Sequence, residues 1–413
     1  MLRGLYMAFL HRTWAEISVS ALVHNFKTIK NSAKDCRLMA VVKADAYGHG
    51  TDIVLPALIS AGADAFAVSN IDEAMELRNM GISSPVLILG YTPPEAAQKL
   101  AENNITQTVY DKSYAKKLSE YAVKSNVTVN AHIKLDTGMG RIGFDCRTRA
   151  LNGLNDIYEI LPLKGLSFEG IFTHFAAADR SGDINGDFTS EQYTRFQNAA
   201  TLIKEKCNTI KTVHCCNSAG LLLEKDKHSC LCRPGVILYG LSPDKDMKYS
   251  EELIPVMTLK SVVSMVKEVE EDTCVSYGRT FKTKGKSKLA TVSVGYADGY
   301  PRLLSNKGQV IINGQRANIV GRVCMDQMVV DVTHIKEIEI GDEVILFGKD
   351  LPVDEIAELA GTINYEIVCG VSKRVPRIKV NITIANYTKS EVFICRNFRF
   401  FYFLLKPCPK PAF

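Results

Sequence analysis

The sequence predicts a (β/α)8 barrel followed by a second, mostly β domain. Eight short apolar, β-rich runs alternate with helical patterns over the first part of the chain. After about residue 250 the alternation stops, and strands follow one another across turns rich in glycine and lysine. An open doubly wound sheet is the alternative, because strand counting from one sequence is error-prone. The eight runs are 38–43, 65–70, 85–90, 105–110, 130–137, 165–175, 211–219 and 231–240.

The segments between these runs begin with helix-start signals. Residues 71–73 (Ile-Asp-Glu), residues 93–94 (Pro-Pro) and Asp111 each follow a predicted strand. Thr189 and Gln192 have the spacing of a capping box, in which each side chain satisfies the other's free backbone amide. We therefore expect helices after these strands, one of them capped by Thr189.

The change of rhythm also sets the domain boundaries. We assign residues 14–250 to the barrel and residues 251–385 to the β-rich domain, with residues 1–13 packing on the latter. Within the β-rich domain the pattern predicts a single short helix, VDEIAELAG at 353–361. The aromatic tail 386–413 fits neither domain.

Composition excludes several classes of function. The chain has 413 residues and a formal net charge of +5, with no Lys/Arg block that could follow a phosphate backbone. Nucleic acid is therefore not an expected partner. No apolar stretch approaches the roughly 18 residues of a membrane span, and the N-terminal apolar run is too short for a secretory signal. We expect a cytoplasmic protein without membrane association.

The twelve cysteines are scattered along the sequence. The close pairs Cys215–Cys216 and Cys230–Cys232 lack the C-x-x-C spacing of zinc and redox sites. A disulfide framework would need a secretory route, which the N-terminus does not indicate. The sequence therefore predicts reduced thiols and no metal site.

Lys43 ends the first predicted strand, in the segment VVKADAYGHG. Catalytic groups of (β/α)8 barrels gather at the carboxyl ends of the strands. An amine there is partly desolvated, which lowers its pKa and suits a Schiff-base lysine. A lone lysine at such a position usually snorkels to the rim. Here, however, Tyr47 and residues 48–50 (Gly-His-Gly) follow at once, and they offer a ring cofactor an aromatic face and bare backbone.

Polar residues also follow the later strands. Buried ionisable groups are costly unless they are paired, so packing alone does not explain so many polar strand ends. Their convergence predicts a functional site at the barrel mouth. These residues are Lys134, Asp136 and Arg141 after the fifth strand, His174 after the sixth, Asn217 and Ser218 after the seventh, and Arg233 in the eighth.

The seventh and eighth strands also carry the best candidates for phosphate binding. Where the seventh strand turns into a short helix, free amides and the Ser218 hydroxyl could hold a dianion. Gly235 allows close approach of backbone, and barrel enzymes often bind phosphate around these two strands. By contrast, GMGRIG (138–143) matches the dinucleotide pattern G-x-G-x-x-G but follows a strand that ends in charged residues, so we discount it.

Eight segments resemble the successive signatures of the alanine racemase family. They run in the family's order from residue 14 to about residue 380. Three of them, VVKADAYGHG, VSYGRTF and GRVCMDQ, are highly specific in combination. The resemblance implies a pyridoxal 5'-phosphate (PLP) enzyme that interconverts L- and D-alanine and supplies D-alanine for peptidoglycan. The segments are VVKADAYGHG, KLDTGMGRIGF, THFAAAD, HCCNSAG, RPGVILYG, VSYGRTF, VGYADGYPR and GRVCMDQMVVDV.

The same resemblance assigns roles around the cofactor ring. Lys43 would carry PLP as an internal aldimine, with Tyr47 packed nearby. Arg233 would meet the pyridine nitrogen and, because a guanidinium keeps its proton, would leave that nitrogen unprotonated. His174 would link Arg233 to Tyr277 by hydrogen bonds.

Further roles concern the phosphate and the substrate. Asn217, Ser218 and the Gly235 backbone would bind the phosphate. Arg141 would orient the cofactor oxygen and the substrate carboxylate. Lys134, by analogy with the family, would be carbamylated and hold Arg141 in place.

Racemisation needs a proton removed from one face of Cα and delivered to the other, so it needs two bases. The resemblance makes Lys43 and Tyr277 this pair, and a cationic network through Arg233 would lower the high pKa of the tyrosine. Tyr277 lies in the second domain together with the expected substrate-binding residues Tyr296 and Met325. In the family that domain closes the barrel mouth of the partner subunit, which implies a homodimer with shared active sites.

Three alternatives remain open. An amino-acid decarboxylase would use the same cofactor and barrel, but VSYGRTF argues against it. A single-domain protein of vitamin B6 homeostasis would lack the β-rich domain. A racemase that prefers serine, or many amino acids, differs only in pocket shape, which the sequence does not reveal.

Overall fold

A computed structural model describes residues 11–33, 36–179, 186–247, 249–250 and 252–381. In chain order its strands are β1 (Thr13–Ser18), β2 (Arg37–Val41), β3 (Ala65–Val68), β4 (Val86–Ile88), β5 (Ile105–Val109), β6 (Val129–Asp136), β7 (Phe144–Asp145), β8 (Leu166–Phe172), β9 (Thr212–His214), β10 (Leu231–Cys232), β11 (Met257–Val269), β12 (Cys274–Val275), β13 (Phe281–Lys282), β14 (Ser287–Val292), β15 (Gln309–Ile312), β16 (Gln315–Ile319), β17 (Met328–Asp331), β18 (Glu343–Phe347) and β19 (Arg377–Val380). The helical segments are α1 (Val19–Ser32), α2 (Lys43–Tyr47), α3 (Thr51–Ala61), α4 (Ile71–Asn79), α5 (Ala97–Glu102), α6 (Lys112–Lys124), α7 (Leu154–Ile160), α8 (Gly186–Lys206), α9 (Ser218–Leu223), α10 (Val353–Ala360) and α11 (Asn364–Gly370).

Eight parallel strands form the predicted barrel, in the order β10-β2-β3-β4-β5-β6-β8-β9. Each predicted run contains one of these strands, and the fold class is confirmed. Strands such as β3 and β4 are buried at every residue, because a barrel strand packs inward on the core and outward on helices. The ring closes after β9 and β10, where the Arg233 amide donates to the Cys216 carbonyl at 3.0 Å. We call the region around β10, where the barrel closes, the closing seam. It contains few strand hydrogen bonds, since β10 is only two residues long.

Most of the predicted helix starts are found. The helix α4 begins after Asn70, whose side chain accepts a hydrogen bond from the Glu73 amide, and α6 begins after Asp111, which caps it in the same way through the Tyr114 amide. The second proline of the 93–94 pair opens a short 3-10 turn that leads into α5. In both helices the capping side chain and the amide that it accepts from lie within three residues of each other.

The capping box at Thr189 is wrong. The helix α8 already begins at Gly186, which puts Thr189 inside it. The Gln192 side chain instead accepts from the Ala176 amide at 2.9 Å and donates to the Thr137 hydroxyl at 3.3 Å. The Gln192 side chain, which the local pattern assigned to a helix cap, therefore bonds to the loops after β6 and β8.

The second domain is built on one mostly antiparallel sheet, in the order β14-β17-β16-β15-β18-β11-β1-β19. Along β11 buried and partly buried residues alternate, as expected when one face of a sheet packs on a core. Strand β1 pairs with β11 and β19, so residues 14–18 belong to this sheet, although the sequence boundary placed the barrel domain's start at residue 14. Arg12 also reaches the sheet domain, with an ion pair to Asp298 at 2.8 Å.

Two further features complete the fold. A second helix, α11, follows α10 in the domain for which the sequence predicted only one helix. Among the described residues no helix combines the length and the apolar character that crossing a membrane would require. The aromatic tail 386–413 lies outside the described residues.

Candidate active site at the barrel mouth

Lys43 lies just beyond the carboxyl end of β2, as predicted. From there the chain makes a left-handed turn, with φ between 52° and 55° at the four residues 44–47. Left-handed backbone costs a non-glycine residue about 1–3 kcal/mol and persists where the surroundings impose it. The Asp45 carboxylate holds the turn by accepting from the amide and hydroxyl of Thr51, at 2.8 Å and 3.0 Å. Strain of this kind clusters at functional sites, and here it begins at the predicted catalytic lysine.

The electrostatic surroundings of Lys43 favour its neutral form. Burial lowers the pKa of the amine below its usual value, and the positive charge of Arg141 lowers it further. Arg141 itself is exposed, on the loop between β6 and β7. A neutral amine is the form that attacks a carbonyl carbon, so Lys43 has the property predicted for it.

Tyr47 connects Lys43 to the end of the barrel where phosphate binding was predicted. A Cβ atom at Gly235 would lie 2.7 Å from the Tyr47 hydroxyl, so the backbone approach there requires glycine. The Gly235 amide in turn donates to the Ser218 hydroxyl at 2.9 Å. Asn217 caps the start of α9 by accepting from the Gly220 amide at 3.0 Å. The predicted phosphate residues are thus brought together, although several of their polar groups already bond to one another.

A tyrosine from the second domain joins this region. The ring of Tyr365, in α11, lies 6.1 Å from that of Tyr47, and Tyr239 lies 5.0 Å from Tyr47 on the barrel side. Burial raises the pKa of all three hydroxyls, which therefore stay protonated and can donate hydrogen bonds. Tyr365 was missed because its helix was not predicted.

Arg233 is almost fully buried and is held by three hydrogen bonds. Its guanidinium donates to Nδ1 of His214 at 2.7 Å, to the Thr173 carbonyl at 2.7 Å and to the Cys215 carbonyl at 3.0 Å. Nε2 of His214 lies 3.0 Å from Nδ1 of His132. Because His214 accepts from Arg233 through Nδ1, its proton sits on Nε2 and is donated to His132.

Burial keeps these histidines neutral. It is the largest cause that lowers the pKa of His132, to about 4, and it lowers the pKa of His214 well below its usual value. The charge of Arg233 acts in the same direction on both. A neutral histidine accepts from Arg233, so the guanidinium keeps its charge within the barrel.

The predicted link between His174 and Arg233 is wrong within this chain. Arg233 bonds to His214, whereas Nε2 of His174 lies 3.4 Å from the Asn217 side-chain nitrogen. Burial, followed by the charge of Arg233, lowers the pKa of His174 well below its usual value. His214 stands in the quoted segment HCCNSAG, but a sequence does not show which side of a short strand faces the site.

Lys134 is also buried, with its amine donating to the Leu135 carbonyl at 3.0 Å and lying 5.1 Å above the Phe172 ring. Burial and then the charge of Arg233 lower the pKa of this amine well below its usual value. The neighbouring Asp136 carboxylate accepts from the amides of Gly138 and Gly140, both at 3.0 Å. Those amides are consequently engaged, which agrees with discounting the dinucleotide motif.

Tyr277, Tyr296 and Met325 lie on neighbouring loops at the surface of the second domain. They are 73%, 43% and 52% exposed. The Ser276 hydroxyl donates to the Arg322 carbonyl at 2.7 Å, and the Tyr296 amide donates to the Cys324 carbonyl at 3.0 Å, which joins the three loops. Among the described residues, the groups whose charges shift the pKa of Lys43 are Arg141, Glu73 and Cys369, and the three surface residues are not among them.

The fold and the site define a class: a (β/α)8-barrel enzyme with an appended β domain and, after the first barrel strand, a lysine whose pKa is lowered by burial. Family models agree with this architecture. The model described as alanine racemase, N-terminal domain, matches residues 17–243, and the one described as alanine racemase, C-terminal domain, matches residues 256–379. The chain belongs to the alanine racemase family and is an amino-acid racemase.

Relatives and solved structures support the assignment over most of the chain. The alanine racemase of Clostridium perfringens is 46% identical over 370 residues, which cover 88% of this chain and 94% of the relative. The structure of alanine racemase from Clostridium difficile 630 has a TM-score of 0.84 at 39% identity and covers 90% of this chain and 97% of that one. The Bartonella henselae alanine racemase, described with covalently bound pyridoxal phosphate, has a TM-score of 0.80 at 31% identity and covers 90% and 100%.

Proposed function

We propose that the protein interconverts L- and D-alanine with PLP attached to Lys43, using Lys43 and Tyr277 as its two bases. The observation that carries this proposal is that Lys43, whose pKa is lowered by burial, and the buried cation Arg233 follow the neighbouring barrel strands β2 and β10. Relatives named alanine racemase support the substrate, and the Bartonella henselae structure supports the cofactor.

The residues present fit PLP. The neutral amine of Lys43 suits attachment to an aldehyde carbon, and the bare backbone at Gly235 leaves room that a side chain would fill. Asn217, Ser218 and the Gly235 backbone would hold the phosphate. When bound, PLP withdraws electrons from the substrate Cα and so makes its proton acidic.

Arg233 would face the pyridine nitrogen of this cofactor. Its three hydrogen bonds fix the plane of the guanidinium, and its partner His214 is neutral, so the arginine keeps its proton. A permanently charged donor polarises the ring nitrogen without protonating it. This moderates the withdrawal of electrons and favours simple return of a proton over other outcomes.

The substrate would be oriented from the loops. The exposed guanidinium of Arg141 suits the carboxylate of an amino acid, because the guanidinium fork matches a carboxylate in a two-point contact. Tyr296 and Met325 would limit the side-chain pocket. Lys43 would then exchange a proton with one face of Cα and Tyr277 with the other.

The second base would come from the partner subunit. Tyr277 lies on the exposed surface with Tyr296 and Met325, and exposed apolar patches of this kind mark interaction sites. We therefore infer a homodimer in which Tyr277 of the partner subunit covers the barrel mouth that contains Lys43. There His174, whose pKa is lowered well below its usual value, would accept a hydrogen bond from the tyrosine hydroxyl.

Lys134 would be carbamylated. Burial lowers the pKa of its amine well below the usual value, and the neutral form of an amine adds carbon dioxide to give a carbamate and one released proton. The new negative charge would pair with Arg141, whose positive charge already acts on this amine. Protein supplied with ¹³C-bicarbonate should show one carbamate carbon resonance that Lys134→Arg removes. Its absence from the wild type would contradict this modification.

We place the enzyme in the cytoplasm, supplying D-alanine for peptidoglycan, a role that the reduced state of the described cysteines suits. A chiral assay of purified enzyme over the common amino acids tests the substrate. Alanine should give the highest kcat/KM in both directions. Preference for serine would replace alanine as the substrate, and absence of any racemisation would overturn the proposed function.

A further inference from the structure

Cysteines that are scattered in the sequence converge on the closing seam of the barrel. Strand β10 pairs in parallel with β2, with Cys232 opposite Leu38, which brings Cys232 near Cys36 at the start of β2. His228 stands in the loop that leads into β10. The two sulfur atoms and a ring nitrogen of His228 all lie within 4.8 Å of one another. Both cysteines are buried and the histidine is half-buried.

This spacing suits a tetrahedral metal ion. With zinc–sulfur bonds of about 2.3 Å and zinc–nitrogen bonds of about 2.0–2.1 Å, tetrahedral ligand atoms stand roughly 3.6–3.8 Å apart. The three ligand atoms lie within 4.8 Å of one another, which exceeds that spacing by at most about 1.2 Å. The cluster therefore has suitable donor types and nearly suitable distances before any ion is bound.

An independent contact sets the tautomer of His228. Its Nε2 lies 2.8 Å from the Leu221 carbonyl oxygen, so Nε2 carries the proton and Nδ1 carries the lone pair. Histidines that bind metals almost always donate their other ring N–H to a carbonyl or carboxylate in this way. This hydrogen bond fixes the tautomer that coordination requires.

We propose that Cys36, Cys232 and His228 form a binding site for one Zn²⁺ ion per chain. Binding replaces the protons of the two thiols, which pass to solvent, and forms two zinc–sulfur bonds and one zinc–nitrogen bond. Cys216 is hydrogen-bonded to Cys232 and offers a further thiol that could complete the coordination shell. Thiolate and imidazole ligands favour zinc over hard cations such as Mg²⁺.

The position of the site gives it a structural effect. It joins the loop before β10 to the start of β2, beside the shortest strand of the barrel. Arg233 follows Cys232 directly and is hydrogen-bonded to the Cys215 carbonyl. An ion that binds only the folded chain must stabilise it, so Zn²⁺ should raise the Tm by closing this seam.

The test uses the full-length enzyme with its cofactor, kept reduced with a phosphine. Zn²⁺ binding is measured by equilibrium dialysis, and Co²⁺ is used as a spectroscopic probe of thiolate ligation. We expect one Zn²⁺ per chain, a Tm increase, and the visible bands of tetrahedral Co²⁺ with sulfur-to-cobalt charge transfer. No stoichiometric Zn²⁺ binding, or a Co²⁺ spectrum without charge transfer, would overturn the proposal.

Three variants locate the site. Cys36→Ser, Cys232→Ser and His228→Gln should each weaken Zn²⁺ binding by at least about 100-fold, because even the loss of an outer partner costs roughly 10- to 100-fold. Cys207→Ser changes a thiol at the end of α8, bonded to Thr209, and is the matched control with wild-type affinity. His228→Gln leaves the buried thiols in place, so it reports on ligation even where a cysteine variant folds poorly. Wild-type affinity in this variant, or equal loss in the control, would place the metal elsewhere.

Discussion

At the scale of single residues, the site contains two amines, those of Lys43 and Lys134, whose pKa values are lowered by burial and by neighbouring guanidinium groups. Burial is the main cause of the lowered pKa of both Lys43 and Lys134, and nearby guanidinium groups add to it. For Lys43 the added charge is that of Arg141, and for Lys134 it is first that of Arg233. The arginines therefore act on reactivity as well as on binding.

Replacing Arg141 with Gln should raise the pKa of Lys43. Fewer lysine side chains are then neutral at a given pH, so recombination of apoprotein with PLP should slow near neutrality and its pH midpoint should move upward. Stopped-flow absorbance across pH measures this, and borohydride reduction should fix the cofactor to the peptide that contains Lys43. Arg149→Gln, at an exposed arginine beyond β7, is the control and should leave the midpoint unchanged. An Arg141→Gln midpoint equal to that of the wild type would contradict the electrostatic coupling.

At the scale of elements, the turns that follow β9 and β10 carry the predicted phosphate-binding residues and lie next to Tyr47. The Gly235 amide is tied to the Ser218 hydroxyl, and the backbone passes close to the Tyr47 hydroxyl. The turns after β9 and β10 thus pack against the side chain of Tyr47, which follows β2. This close approach of backbone to the Tyr47 hydroxyl depends on the absence of a Cβ atom at Gly235.

Gly235→Ala should weaken PLP binding by roughly 10- to 100-fold. The added Cβ would lie 2.7 Å from the Tyr47 hydroxyl, and overpacking of this kind costs about 1–3 kcal/mol. Fluorescence titration of apoprotein with PLP gives the change in Kd. Gly285→Ala, where an added Cβ meets nothing within 4 Å, should bind PLP normally. Equal affinity in the two variants would show that the close approach does not shape the site.

At the scale of the whole molecule, folding buries several histidines in their neutral form. Burial lowers the pKa of His49 and of His132 to about 4, and it lowers those of His174 and His214 well below the usual 6.5. Between about pH 6.5 and about pH 4 the unfolded chain therefore binds more protons than the folded one. The free energy of unfolding rises with pH wherever the unfolded state binds more protons.

Stability should accordingly fall as the pH drops from 6.5 towards about 4. Urea unfolding at a series of pH values measures the slope. His132→Asn should reduce it, because the Asn side-chain oxygen can still accept from His214 but does not titrate. His334→Asn, at an exposed histidine of the second domain, is the control and should keep the full slope. A wild-type protein equally stable at both ends of this range would refute the account.

A complementation experiment tests the shared active sites of the dimer. Lys43→Ala and Tyr277→Phe should each be nearly inactive alone, since each removes one of the two bases. Mixed dimers contain one complete site of two, and random reassortment makes about half of the dimers mixed, so activity should return to roughly a quarter of wild type. The doubly tagged heterodimer, isolated and assayed, decides the point. Folded heterodimer without activity would mean that both bases come from one chain.

The sequence by itself determined the features that rest on local patterns. The eight barrel strands follow from runs of apolar residues, and the starts of α4 and α6 follow from residues 71–73 and from Asp111, because each signal lies within a few residues of its effect. Lys43 was identifiable for a related reason: the carboxyl end of a barrel strand is a defined place once the strand is recognised. The family resemblance added roles to the barrel residues that these patterns had singled out, and it alone pointed to Tyr277, Tyr296 and Met325.

Only the tertiary structure decided which distant groups meet. The pairing of β1 with β11, the hydrogen bond from Arg233 to His214, and the meeting of Cys36 with Cys232 each join residues far apart in sequence. Their partners depend on strand register, and a shift of one residue turns every side chain to the opposite face. No local pattern specifies that register, because it is set by the packing of the whole barrel and sheet.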